Sequence, residues 1–145
     1  MELSTQDPSS TPSLSGTSFN NKNNQDSANT FNNVGNALKR DGDMQGAYEA
    51  YKQAVIANPY HASALSNLGA VLKEMGHIET AIEAYKQALN IEPNCAETYD
   101  NIGAAFMEIG NTEVAIAAYQ QALNIEPDNI KMINNLNEAV KLKSK

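Results

Sequence analysis

From residue 28 onward, apolar residues recur in two alternating helical registers. Leu65, Leu68 and Leu72 fall at i, i+3 and i+7, which is one face of a helix. A glycine follows at Gly76, where a helix needs a left-handed stop. A second run, Ile78, Ala81, Ile82, Tyr85, Ala88 and Leu89, is again helically spaced. It ends before Pro93, which cannot continue a helix. The same order surrounds Gly42 and Pro59 upstream and Gly110 and Pro127 downstream. The pattern predicts pairs of short helices, each broken by glycine within the pair and by proline between pairs.

The pairs are copies of one another. Displaced by 34 residues, segments 62–95 and 96–129 match at 18 of 34 positions, and segments 28–61 and 62–95 at 14 of 34. Unit one carries Phe31, Val34, Gly35, Leu38, Ala47, Tyr51, Ala54 and Pro59. Unit two carries Leu65, Leu68, Gly69, Leu72, Ala81, Tyr85, Ala88 and Pro93; unit three carries Tyr99, Ile102, Gly103, Phe106, Ala115, Tyr119, Ala122 and Pro127. The small residues have a packing reason. Gly69, Ala81 and Ala88 let two helix backbones approach at the short end of the usual ~8–10 Å range, and Tyr85 fills the gap beside them. One pair alone leaves an apolar face bare, so neighbouring units must stack to cover it.

After Asn129 the register continues for one helix, over 130–143. Ile133, Leu136 and Val140 hold its apolar places, and Asn137 stands where the glycine should be. Its charge suits a solvated end: Lys131, Lys141, Lys143 and Lys145 against Glu138. Before the repeats, residues 1–27 are of another kind. Of these 27 residues, 21 are Ser, Thr, Asn, Gln, Asp, Pro or Gly. Such a segment buries too little apolar area to offset its ordering entropy, which predicts a disordered polar tail. The first ten residues show neither the basic nor the apolar stretch of a secretory leader.

Charge and chemistry narrow the functions. Ten Lys+Arg stand against 17 Asp+Glu, a formal net charge of −7, so nothing draws the chain generally to nucleic-acid phosphates. No apolar run approaches the ~20 residues of a membrane-spanning helix, which speaks against membrane insertion. The lone Cys95 forms no internal disulfide and suits a reduced, cytoplasmic setting. No phosphate-binding glycine loop and no nucleophile elbow is present. His61 and Cys95 hold the same place in successive units, a full repeat apart, and read as turn residues rather than a catalytic pair. His77 likewise sits in a turn, and His61 with His77 is too small a set for a metal. Glu49, Glu79, Glu83 and Glu113 fall on the outward side and read as a solvated face. The expectation is no enzyme, no cofactor and no metal.

The 34-residue period, with its large-x-x-large-Gly-x-x-large, Ala-x-x-x-Tyr and Pro places, resembles the tetratricopeptide repeat (TPR) family. It departs in having Phe31, Leu65 and Tyr99 where the family places Trp. The resemblance implies an all-α, right-handed superhelical solenoid of antiparallel helix pairs. The domain would span 28–143, as repeats 28–61, 62–95 and 96–129 and a capping helix. It also implies that the first helices line a concave groove which holds a protein or peptide partner.

Within that groove one place does not vary. The sixth place of each unit is Asn33, Asn67 and Asn101, with Asn135 in the end helix. Asparagine is a poor interior helix residue, so its repeated use asks for a reason. An amide offers two donors and an acceptor, enough to hold both C=O and N–H of a peptide backbone. First helices at a spacing of ~9–10 Å match about three residues of extended chain at ~3.3 Å each. The row is similar to the groove asparagines of the TPR region of O-GlcNAc transferase, which bind substrate backbone. The other reading is that each amide bonds between helices and serves the fold.

Further groove candidates grade from polar and basic to acidic: Asn29, Asn32, Asn36 and Lys39, then Ser66 and Lys73, then Glu97 and Asp100. A ligand that is basic near unit three complements this gradient. Family members that hold chaperone C-terminal carboxylates use a five-residue clamp. Asn36 and Asn67 match it, but Asn32, Glu97 and Asn101 stand at its cationic places, and Glu97 repels a carboxylate. The expected function is a peptide-binding interaction scaffold. Its rivals are weak self-association through the outer or end surfaces, and service as the recruiting arm of a separate transferase.

Overall fold

The computed structural model describes residues 17–145. Among them are seven helices and no strand: α1 (Thr17–Arg40), α2 (Met44–Ala57), α3 (Ala62–Glu74), α4 (Ile78–Ile91), α5 (Ala96–Glu108), α6 (Thr112–Ile125) and α7 (Ile130–Lys143). They form a solenoid of three antiparallel pairs, α1/α2, α3/α4 and α5/α6, closed by α7.

The turns within pairs obey the glycine pattern. Gly42, Gly76 and Gly110 have φ of 87°, 91° and 82°, the left-handed region that side chains disfavour. Each lets the next residue bond back over the turn: Asp43 N–H to Leu38 at 2.9 Å, His77 to Leu72 at 2.8 Å, Asn111 to Phe106 at 2.9 Å. Side chains then start the following helices. Asp43 accepts from the Gly46 amide at 2.9 Å, Asn111 from Val114 at 3.3 Å and Asn129 from Met132 at 3.2 Å.

The predicted close approach of helices is built on a second set of glycines. A Cβ on Gly35, Gly69 or Gly103 would lie 2.5, 2.7 or 2.5 Å from Cε1 of Tyr51, Tyr85 or Tyr119 respectively. These tyrosine rings therefore occupy the space a side chain would take. Each second helix then packs on the next first helix. Ala47 and Tyr51 meet Val71, Ala81 and Tyr85 meet Ile102, and Ala115 and Tyr119 meet Ala139. The core is thus a continuous seam along the stack rather than one central cluster.

The N-terminal boundary differs from expectation. Helix α1 begins at Thr17, so residues 22–27, expected to belong to the disordered tail, are helical. Residues 1–16 of that expected tail lie outside the described residues. The reason is local. No proline or glycine interrupts 17–27. The helix is also tied sideways to the α2–α3 turn by Asn58 donating to Gln25 and by Asn29 Oδ1 lying 2.8 Å from His61 Nε2.

Candidate peptide groove

The first helices meet one another in order, α1 with α3, α3 with α5 and α5 with α7. They form the inner layer, and their facing side chains are polar. A cavity of about 210 Å³ crosses three of them. It is lined by Asn32 and Asn36 of α1, Ala62, Ser63, Ser66 and Asn67 of α3, Ala88 of α4, and Glu97, Thr98 and Asn101 of α5, with Glu92 and Cys95 from the turn between α4 and α5.

The recurrent asparagines share a register but not a role. Asn67 uses its amide nitrogen across the first junction, donating to Asn32 Oδ1 at 2.9 Å and to Asn36 Oδ1 at 3.3 Å. Its own Oδ1 remains free to accept. Asn36 Oδ1 also takes the Tyr51 hydroxyl at 2.6 Å. Asn135 donates to Asp100 Oδ1 at 2.8 Å, binding α7 to α5. Asn101 lines the cavity, half-buried, with no side-chain hydrogen bond among the described residues. Asn33 is exposed on α1 and does not line the cavity.

The other candidates divide in the same way. Asn32, Asn36, Ser66 and Glu97 line the cavity. Ser66 Oγ lies 2.9 Å from Thr98 Oγ1. Asn29 lies at the α2–α3 turn, taking Gln25 Nε2 at 3.1 Å as well as facing His61. Lys39 is half-buried beyond the cavity lining, and Lys73 is paired with Glu108 at 3.8 Å. Asp100 is 2% exposed and is held by Lys131 at 3.2 Å as well as by Asn135, so it joins the last helix to the stack. Glu92, Cys95 and Thr98 are lining residues that the groove count did not select. They come from the turn before α5 and from its third place, and the count took only the places of the first helices that face the groove.

The electrostatics of the inner wall turn acidic toward unit three. Burial pushes the Tyr85 phenol well above the ordinary tyrosine value, and the carboxylates of Glu74, Glu108 and Glu97 push it the same way. Burial, with Asp100 adding, moves Tyr119 up to about 12. Burial also raises Tyr51, against the opposing charge of Arg40. No cluster of three or more metal-ligating side chains occurs among the described residues, and no described helix is long and apolar enough to cross a membrane.

Comparison with known proteins agrees with the repeat. The family model described as tetratricopeptide repeat matches residues 26–91 in one form and 96–129 in another. No curated protein matches the chain. Among solved structures, the first TPR of Spaghetti (RPAP3), bound to the HSP90 peptide SRMEEVD, is 21% identical with a TM-score of 0.81. That match covers 83% of this chain and 96% of the other. The TPR domain of Arabidopsis OM64 is 23% identical with a TM-score of 0.78, over 81% of this chain and 98% of that one. The crystal structure of MamA is 26% identical with a TM-score of 0.72, over 81% of this chain and 64% of that one.

Proposed function

The chain belongs to the tetratricopeptide repeat family, and on that premise we propose that its concave face holds an extended peptide segment of a protein partner. The observation that carries this is Asn101. It sits in the groove cavity with two donors and an acceptor unengaged, while its counterparts Asn67 and Asn135 bond between helices. The asparagine row therefore has two tasks: the engaged amides set the curvature of the wall, and Asn101, with the free Oδ1 of Asn67, meets the ligand backbone. That the first TPR of Spaghetti is bound to a peptide supports a peptide as ligand class. An acidic C-terminal tail of that kind is disfavoured here, because Glu92 and Glu97 line the cavity. The reading assigns the domain recruitment rather than catalysis.

Asn101→Ala tests it against Asn67→Ala. The first is expected to weaken capture of partner peptide about tenfold, one amide contact at ~1.4 kcal/mol, with helicity and urea midpoint unchanged. The second is expected to lower the urea midpoint as well, because it breaks the tie between α1 and α3. Unaltered capture by Asn101→Ala removes the proposal. Self-association is the second reading, favoured by Phe31 and Val34, 38% and 44% exposed on the uncovered first helix. Light scattering of the same samples separates the two, since only self-association makes the particle mass rise with concentration.

A further inference from the structure

Helix α7 carries the first-helix pattern of a fourth unit, and part of its apolar face has no cover among the described residues. In the third unit Tyr99, Ile102 and Phe106 pack in clusters with Ala122, Ala118 and Ala115 of α6. Their equivalents on α7 are Ile133, Leu136 and Val140. Leu136 still reaches Ala115 and Tyr119, but Ile130 and Val140 are 71% and 45% exposed. Ile130, Ile133, Asn137 and Val140 follow at helical spacing and make one stripe. Asn137 decides what can lie on it. Its equivalents Gly35, Gly69 and Gly103 have no room for a Cβ, which would stand 2.5, 2.7 and 2.5 Å from a tyrosine ring of the second helix. Asn137 carries a whole side chain at that place. The face therefore rejects a helix of the repeat's own second type, with its tyrosine, and accepts one that sets a polar group opposite the amide.

A second copy of α7 meets that need. Two asparagine amides set face to face give donor to acceptor both ways, and one asparagine within an apolar helical stripe fixes the register of pairing. Charge fixes the direction. The end of α7 is basic, with Lys141, Lys143 and Lys145, and the turn before α7 is acidic, with Glu126 and Asp128. Antiparallel crossing lays each basic end beside the other copy's acidic turn and opposes the two helix dipoles; parallel crossing sets like against like. Laid instead on Phe31 and Val34 of another copy, Asn137 meets apolar side chains and finds no matching amide. We propose that α7 is a self-pairing surface: two copies of the chain associate about a two-fold axis at Asn137, with Ile133 of each beside Val140 of the other. The contact is isologous, so it closes at two copies. It is independent of the peptide groove and lies at the opposite end of the stack from Phe31 and Val34. One helix face is small beside the ~800 Å² per partner of a standard interface, so the pairing is weak and forms at high concentration.

The test uses the full chain in sedimentation equilibrium up to millimolar concentration. The mass is expected to rise toward that of two copies and no further. Val140→Lys is expected to weaken association about tenfold or more with the urea midpoint unchanged, while Val34→Lys leaves association as it was. A cysteine reads the axis, since a two-fold contact sets a residue on its axis beside its own copy and head-to-tail stacking does not. In a Cys95→Ser background, Asn137→Cys is expected to give the disulfide-linked pair under diamide about tenfold faster or more than Lys86→Cys, whose site is exposed on α4. Should Val140→Lys lower helicity, the two cysteine variants still decide. A chain that stays single at millimolar concentration overturns the inference, as does association that Val34→Lys removes and Val140→Lys does not. Equal cross-linking of the two cysteines overturns the two-fold axis, and a mass that rises past two copies overturns the closed pair.

Discussion

Tyr51 donates to Asn36 at 2.6 Å, whereas the equivalent hydroxyl of Tyr85 is buried without a partner. The two rings pack alike on their glycines, so removing each hydroxyl isolates the hydrogen bond from the packing. Tyr51→Phe is expected to cost about 1 kcal/mol, the ordinary net value of a made bond. Tyr85→Phe is expected to cost nothing or to gain up to about 1 kcal/mol, since it deletes an unsatisfied group. Urea unfolding midpoints measure both, and equal losses in the two variants contradict the assignment. This contrast is invisible in the repeat itself. The tyrosine places are identical in all three units, and the difference lies at the ninth place, Asn36 against Ala70, which the consensus leaves free. The row of asparagines was likewise legible as a row. Which of them are engaged depends on residues 31 to 35 positions earlier, as with Asn67 on Asn32 and Asn36.

Helix starts and stops were readable where the chemistry is local. A glycine turn acts within a few residues, and the structure places Gly42, Gly76 and Gly110 in the left-handed region at the expected positions. The start of α1 was not readable, because what supports residues 17–27 lies elsewhere. Gln25 and Asn29 reach Asn58 and His61, 33 and 32 residues away, and a polar asparagine-rich stretch gives no amphipathic sign of it. His61 links the two effects. Its Nδ1 accepts the Ala64 amide at 3.1 Å, starting α3, while its Nε2 faces Asn29 on α1. His61→Ala is expected to cost about 1 kcal/mol from the lost cap, and to raise hydrogen exchange in the first half of α1 together with the first turn of α3. His61→Asn keeps the cap and loses the reach, so it is expected to restore α3 alone. Unchanged exchange in α1 for His61→Ala would show that the tie to Asn29 carries no weight.

A stack in which each unit touches only its neighbours has no single centre, so its stability varies along its length. The C-terminal end depends on α7. Met132 packs with Ala96 and Ala122, Ala139 with Ala115 and Tyr119, and Leu136 lies against the same seam. Asp100 is the one carboxylate buried among the described residues, and both of its partners, Lys131 and Asn135, belong to α7. A chain ending at Asn129 therefore loses an apolar cover and leaves Asp100 to be met by water. Uncovering the contacts of Met132 and Leu136 removes about 3–6 kcal/mol from the third pair, at ~1.5–3 kcal/mol for each large side chain. The loss is expected to stay local. Amide protection should fall in α5 and α6 toward that of an opened pair, while α2 and α3, whose contacts are intact, keep most of theirs. Native-state hydrogen exchange on the shortened chain measures this directly. Equal loss of protection in α2 and α6 would mean that the three pairs unfold as one cooperative block.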